Sequence, residues 1–226
     1  MNKSSYFIEN KARFGSYPTQ ESVKELEENG VRFFVNLTFP DEKKITPYTT
    51  RYNKINFPIV DISIPENWTD FAIFLAKITN IIRSLKKGEI IYIHCKGGHG
   101  RAGLVVACLF CHVFGMTSHD ALRKTTICHN NREIMRDRWR EIGSPQTHNQ
   151  KQFVSKFFRP VYLHGIYIET HGTDEEIYKR VKNTIEKYPL LRLKLFNTCL
   201  RPITGCGNEL GFWLTKVREE IYIKKY

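Results

Sequence analysis

Residues 91–103, IYIHCKGGHGRAG, constrain this chain more than any other stretch. The run at 89–94, EIIYIH, is short and strongly apolar, the pattern of a strand buried on both faces. Directly after it, Gly97, Gly98 and Gly100 crowd into four positions. Glycines at that density let a backbone curl tightly and turn its N–H groups inward. Residues 102–114, AGLVVACLFCHVF, then read as a buried helix. A buried strand that ends in a glycine turn and feeds a buried helix requires a layered fold, with a sheet inside and helices packed on it.

The rest of the chain extends that pattern. Residues 6–8 and 12–16 read as short strands. A helix from Thr19 or Gln20 to Glu28 follows, stopped by Asn29-Gly30. Residues 31–37, VRFFVNL, form a second buried-strand pattern; 38–53 read as a polar surface loop and 54–60 as another strand. Helical periodicity runs through 68–85, and helices are expected at 118–130, 132–141 and 146–158. Alternating strands and helices predict an α/β fold, a mostly parallel central sheet flanked by helices. A break near Arg159-Pro160 divides residues 1–158 from a helical appendage, 159–226, with helices at 173–188, 190–196 and 209–222.

Composition excludes several classes. Of 226 residues, 41% are hydrophobic and 26% charged, enough for a real core, so wholesale disorder is out. No apolar run suits a membrane span, and the start, MNKSSYFIENK, lacks the core of a signal peptide. The six cysteines are therefore expected as thiols in a reducing compartment, cytoplasmic with the nucleus as the alternative. The net charge of +12 favours anionic partners, although a well-solvated surface explains it equally. Richness in Lys, Asn, Ile and Tyr suits an AT-rich genome, such as that of a large DNA virus.

The chemistry centres on Cys95. A Cys with an Arg after five intervening residues is weak evidence by itself. Here the five are Lys96, Gly97, Gly98, His99 and Gly100, and a helix begins at once. Loop amides and helix dipole then converge on one point, an anion nest of phosphate size. The same field favours Cys95 as a thiolate, and the planar fork of Arg101 can hold two phosphoryl oxygens. A buried Cys beside a glycine turn is the plainer reading, but packing gives no reason for three glycines, the cation and the helix together.

On these residues the chain resembles the cysteine-dependent protein phosphatase superfamily, especially its small dual-specificity type. The family motif, HC-x5-R followed by Ser or Thr, stands here as HCKGGHGR followed by Ala102. Phe14-Gly15-Ser16-Tyr17-Pro18, the helix to Gly30 and VRFFVNLT also match, so the likeness covers about residues 6–158. The resemblance implies a general acid on a loop before the Cys. Asp61, in PIVDISIP, fits that place, with Asp70 as rival and a turn or cap Asp as the structural alternative. It also implies a Gln that orients the hydrolytic water. Gln146 in PQTHNQ is the first choice and Gln150 the second, against a plain helix-surface role. By the same resemblance Cys95 attacks phosphorus, Arg101 and the loop amides stabilise the equatorial oxygens, and Asp61 protonates the leaving group. Water then cleaves the phosphocysteine, with no metal or cofactor. Ala102 replaces the hydroxyl that aids departure of the thiolate, which implies slow breakdown of the intermediate, or a module that binds phosphate and turns over weakly.

The resemblance implies a phosphorylated protein substrate, at tyrosine or at mixed sites. Lys96 and His99, read as facing the pocket mouth, resemble the basic steps of phosphoinositide phosphatases, and with the net charge they also suit RNA 5′-triphosphate ends. Other strings carry less. Cys108, Cys111 and His112, with Cys128 and His129, look metal-binding on paper but sit in patterns better suited to a buried helix. Arg132, Arg136, Arg138 and Arg140 read as a solvated helix face. In the tail, Gly205-x-Gly207-Asn208-x-Leu210-Gly211 and the helices around it resemble the closing helices of NADAR proteins, without that family's catalytic portion, so no activity is assigned to them.

Overall fold

The apolar run at 89–94 becomes the middle strand of a five-stranded sheet. A computed structural model describes residues 2–158, 172–187 and 217. In chain order these form β1 (Ser4–Ile8), β2 (Ala12–Gly15), α1 (Gln20–Glu28), β3 (Val31–Asn36), β4 (Asn53–Asn56) and α2 (Trp68–Ser84). There follow β5 (Ile90–His94), α3 (Arg101–Phe114), α4 (Ser118–Asn130), α5 (Asp137–Ile142), α6 (His148–Phe157) and α7 (Asp174–Lys187). The strand order is β1-β2-β5-β3-β4; β5 pairs parallel with β2 and β3, β3 parallel with β4, and only β1 runs antiparallel to its neighbour. The expected α/β architecture with a mostly parallel sheet is the observed one.

Alternation along β5 splits two cores. Ile91 and Ile93 face a large core built with α2, α3, α4 and α6. Ile90 and Tyr92 face a smaller one, closed by Val23 and Leu26 of α1 and by Tyr48. In β3 the register slips between Val31 and Phe33, leaving Arg32 as an extra residue. That bulge puts Val31 and Phe34, three apart, on the same face.

Several boundaries differ from the sequence reading. β4 ends at Asn56, not at 60. Beyond it Phe57 N–H donates to Asn36 and Ile59 N–H to Leu37, so the chain stays extended around Pro58, which has no N–H for a ladder. The helix expected at 132–141 is α5 alone, preceded by a turn. α6 starts at His148 behind a capping box, in which the Thr147 side chain accepts from Gln150 N–H and Gln150 reaches back to the Thr147 N–H. In the tail, α7 replaces the helix expected at 173–188, and its Ile177, Val181 and Ile185 lie buried in the large core. The NADAR-like segment, 174–223, is described only at α7 and at helical Val217; the break at 159–160, the helix at 190–196 and the rest of the helix at 209–222 lie outside the described residues. Among the described residues no helix is long and apolar enough to cross a membrane.

Candidate active site

β5 delivers Cys95 to the carboxyl end of the sheet, between β2 and β3, where parallel sheets open their crevices. Cys95 is buried at 2% exposure. The loop from 96 to 100 then turns into α3. Its carbonyls are tied outward. Lys96 O accepts from Tyr17 N–H at 3.0 Å, Gly98 O from Arg132 at 2.9 Å, and His99 O from the Ser144 hydroxyl at 2.6 Å. Gly100 O accepts from Leu104 N–H, opening the helix. In a planar trans peptide the N–H points opposite to its carbonyl. The N–H groups of Gly97, His99, Gly100 and Arg101 therefore face the interior of the loop, with the N-terminus of α3 behind them.

Only glycine serves at Gly98. Its φ is +76°, and a Cβ there would come within 2.5 Å of the Gly15 carbonyl oxygen. The loop is thus pressed against the end of β2. Gly100 lies close against the side chains of Gln146 and Gln150, and Gly97 beside the His99 ring.

Arg101 is 1% exposed, with both Nη atoms engaged and Nε buried without a hydrogen-bond partner. Glu42 takes its fork in a bidentate pair, at 2.6 and 2.8 Å. Asp61 Oδ1 lies 2.8 Å from Nη2, and the carbonyls of Ile59 and Leu37 accept at 3.0 and 3.4 Å. Burial works against the guanidinium charge, but the Glu42 hydrogen bonds and the charges of Cys95, Asp61 and Glu42 outweigh it and raise its affinity for the proton. In return, hydrogen bonds from Arg101 hold Glu42 below the usual carboxylate range. Glu42 was absent from the sequence reading because it sits in the loop read as polar surface.

Asp61 is half-exposed, at the turn where Ile62 adopts a φ of 65°. Asp70 is apart from this cluster. It lies in the first turn of α2, where its N–H donates to the capping Asn67 Oδ1 at 3.1 Å, and it lines a cavity of about 210 Å³ with Phe39 and Pro65. Gln150 is buried and occupied, with Nε2 on Ser63 O at 2.9 Å and Oε1 on Thr147 N–H at 3.3 Å. Gln146 is half-buried against Gly100.

The basic steps of the loop differ from each other. Lys96 is half-buried. The His99 ring stacks on Trp139, with centroids 4.4 Å apart, and meets His129 Nε2 through Nδ1 at 2.8 Å. Asn130 donates to Arg140 O through Nδ2, so its Oδ1 accepts from His129 Nδ1. His129 Nε2 is then the acceptor, and His99 donates from Nδ1. Burial and the Arg132 charge push His99 down to about 3 and His129 to about 4. His99 is a neutral wall of the loop at pH 7. Behind Cys95, His94 is wholly buried, bonded to the Tyr48 hydroxyl at 2.7 Å and pushed down to about 3 by burial.

A family model for the DSP-PTPase phosphatase domain of the Swiss Army Knife type matches residues 4–154. The chain belongs to the DSP-PTPase family. Two curated relatives agree. Putative tyrosine phosphatase 067L of Invertebrate iridescent virus 3 is 35% identical over 215 residues, covering 92% of this chain and 89% of that protein. Putative tyrosine phosphatase 197R of Invertebrate iridescent virus 6 is 38% identical over 177 residues, or 77% of this chain and 65% of that one. Among solved structures, Tk-PTP in its active form aligns with a TM-score of 0.54 at 19% identity, over 68% of this chain and 95% of that one. A kinase associated phosphatase with serine in place of its catalytic cysteine gives 0.53 at 17%, over 69% and 92%. Those structures speak for the fold, and the family match makes this DSP-PTPase domain a cysteine-dependent phosphatase.

Proposed function

We propose that this DSP-PTPase domain hydrolyses phosphotyrosine in proteins through a phosphocysteine on Cys95. One observation carries the reading: four loop carbonyls tied outward leave their N–H partners converging above a buried cysteine, with a fully buried Arg101 beside it. That is a receptor for a tetrahedral dianion with a sulfur at its floor. The Cys95 sulfur attacks phosphorus and the ester bond to the leaving oxygen breaks. The amides of Gly97, His99, Gly100 and Arg101, with the Arg101 side chain, take the equatorial oxygens, Gly98 supplies the turn between them, and Lys96 adds charge at the rim.

Asp61 protonates the leaving oxygen. Its contact with Arg101 supports it over Asp70, which lies in the first turn of α2 outside the cluster. An incoming phosphate competes for Nη2 and frees the carboxyl beside the scissile bond. Water then attacks the phosphocysteine, with Asp61 as base and Gln146 orienting the water. Gln146 is favoured because both polar ends of the Gln150 amide are already bonded. Gln150 holds the acid loop through Ser63 instead. Exposed Val60 and Ile62 flank Asp61, an apolar edge suited to an aromatic leaving group. The names of the viral relatives point the same way. We place the reaction in a reducing compartment, cytoplasm or nucleus, where Cys95 stays a thiol.

The purified protein is offered p-nitrophenyl phosphate, a phosphotyrosine peptide, an inositol phosphate and triphosphorylated RNA, beside Cys95→Ser. Turnover of both aryl phosphates, lost in Cys95→Ser, is expected. Hydrolysis of the RNA or the inositol phosphate alone replaces the substrate assignment. Binding of phosphate without turnover of any substrate makes the domain a phospho-binding module.

A further inference from the structure

Arg132 belongs to the basic run that reads from sequence as a solvated face. Arg136 and Arg138 are indeed exposed, but Arg132 is only 2% exposed. Its Nη2 donates to Gly98 O at 2.9 Å and to Phe14 O at 3.4 Å, and its guanidinium carbon lies 4.6 Å from the Phe14 ring centroid. Its Nε is buried without a hydrogen-bond partner. Arg140, which donates to Arg132 O at 2.7 Å, pins its backbone in place. Among the described residues no carboxylate pairs with it.

A buried cation is costly unless an anion lies near it. Burial pushes Arg132 down to about 10, and the groups whose negative charge acts against that shift are Tyr92 and Cys95. Tyr92 does not supply that charge, because its fully buried phenol donates to Ser16 O at 2.6 Å and burial pushes its ionisation up. The other titratable neighbours add no negative charge. His99 of the loop and His129 on α4 are neutral, while Arg13 on β2 and Arg140 on α5 are cations. Cys95 remains as the group on which the charge of Arg132 acts.

We propose that Arg132 is a positioning residue of the phosphate loop and the site's second buried cation: it fixes the Gly98 carbonyl outward, so that the His99 N–H faces the phosphate above Cys95, and its buried charge adds to the positive field at that sulfur. The proposal rests on the phosphatase reading of the same site.

The test compares the full chain with Arg132→Gln, which removes the charge, and Arg132→Lys, which keeps it. The first readout is the alkylation rate of Cys95 by iodoacetamide at pH 6, followed on the Cys95 peptide by mass. The reagent is neutral, so its rate follows thiolate content rather than attraction of the reagent. In folded Arg132→Gln the rate falls about tenfold, and in Arg132→Lys it stays within about threefold of the parent. The second readout is steady-state hydrolysis of p-nitrophenyl phosphate, where Arg132→Gln lowers kcat about 30-fold with KM changed by less than about threefold. Unchanged alkylation in Arg132→Gln overturns the proposal. So does a folded Arg132→Lys that alkylates tenfold more slowly, which keeps the test open if Arg132→Gln does not fold. A parent that alkylates fast but never turns over sinks the catalytic reading and leaves the role of Arg132 in the loop standing.

Discussion

Arg101 spends the ligand-free state bound to two carboxylates that play unequal parts. Glu42 is nearly buried and bidentate; Asp61 is half-exposed and makes one contact. In the proposed mechanism phosphate displaces Asp61 and leaves Glu42 as the brace that sets the plane of the fork. Glu42→Gln keeps the shape but weakens the charge-assisted bonds, and we expect kcat/KM for p-nitrophenyl phosphate to fall roughly 10- to 100-fold. A change below about twofold would remove Glu42 from the machinery. Asp61→Asn has a different signature, because a proton donor matters most for a poor leaving group. Hydrolysis of phosphotyrosine should fall about 10²- to 10³-fold, and p-nitrophenyl phosphate clearly less. Equal losses on both would argue against general acid work at Asp61. The difference in legibility follows from distance along the chain. Cys95, the glycines and Arg101 are contiguous, so the sequence alone groups them. Glu42 lies 59 residues before Arg101 in a polar loop, and nothing local marks it as one side of a buried ion pair.

At the scale of elements, β5, the loop and α3 were readable because each is defined by its own residues: an apolar run, a glycine cluster and a continuous apolar helix. The segment after α4 was not. Four arginines within nine positions satisfy a solvated pattern equally well whether or not one of them is buried, and only the packing of β2 and the loop onto Arg132 decides it. The extended pattern at 54–60 blurred the end of β4 for a related reason, since Phe57 and Ile59 keep bonding to β3 and its continuation after the ladder has ended. The loop's dependence on β2 gives a test at this scale. Gly98→Ala demands a positive φ of a residue with a Cβ and drives that Cβ into the Gly15 peptide. The loop must lift from β2. We expect loss of at least about 2 kcal/mol of stability and of activity together, read by urea unfolding and by p-nitrophenyl phosphate hydrolysis. A stable, active Gly98→Ala would mean that the loop does not require this seat.

For the molecule as a whole, three imidazoles, two buried and one half-buried, set how it meets acid. His94 and His99 are pushed to about 3 and His129 to about 4, below the unfolded value near 6.5. The unfolded chain therefore binds more protons between those limits, so stability is full above about pH 6.5 and falls as pH drops toward 4. His94 alone, wholly buried, accounts for up to about 1.4 kcal/mol per pH unit in that window. Urea midpoints at pH 7.5, 6.5 and 5.5 should decline in that order; a flat profile would contradict the neutral burial of these rings. The same scale bears on where the folding unit ends. The sequence places a boundary at 158, yet Ile177, Val181 and Ile185 of α7 are buried at 3%, 0% and 1% in the core that contains α2, α3 and α6. The match to the viral 067L protein covers 92% of the chain and so runs well past 158. An aliphatic side chain taken fully from water contributes about 1.5–3 kcal/mol, an upper estimate because unfolded chains bury some of it. Removing α7 also exposes the surfaces it covers. A chain ending at residue 158 should therefore lose at least about 3 kcal/mol and melt roughly 10 °C below the full chain. Equal melting temperatures for the two chains would instead make residues 159–226 an appendage on a domain that is already complete without them.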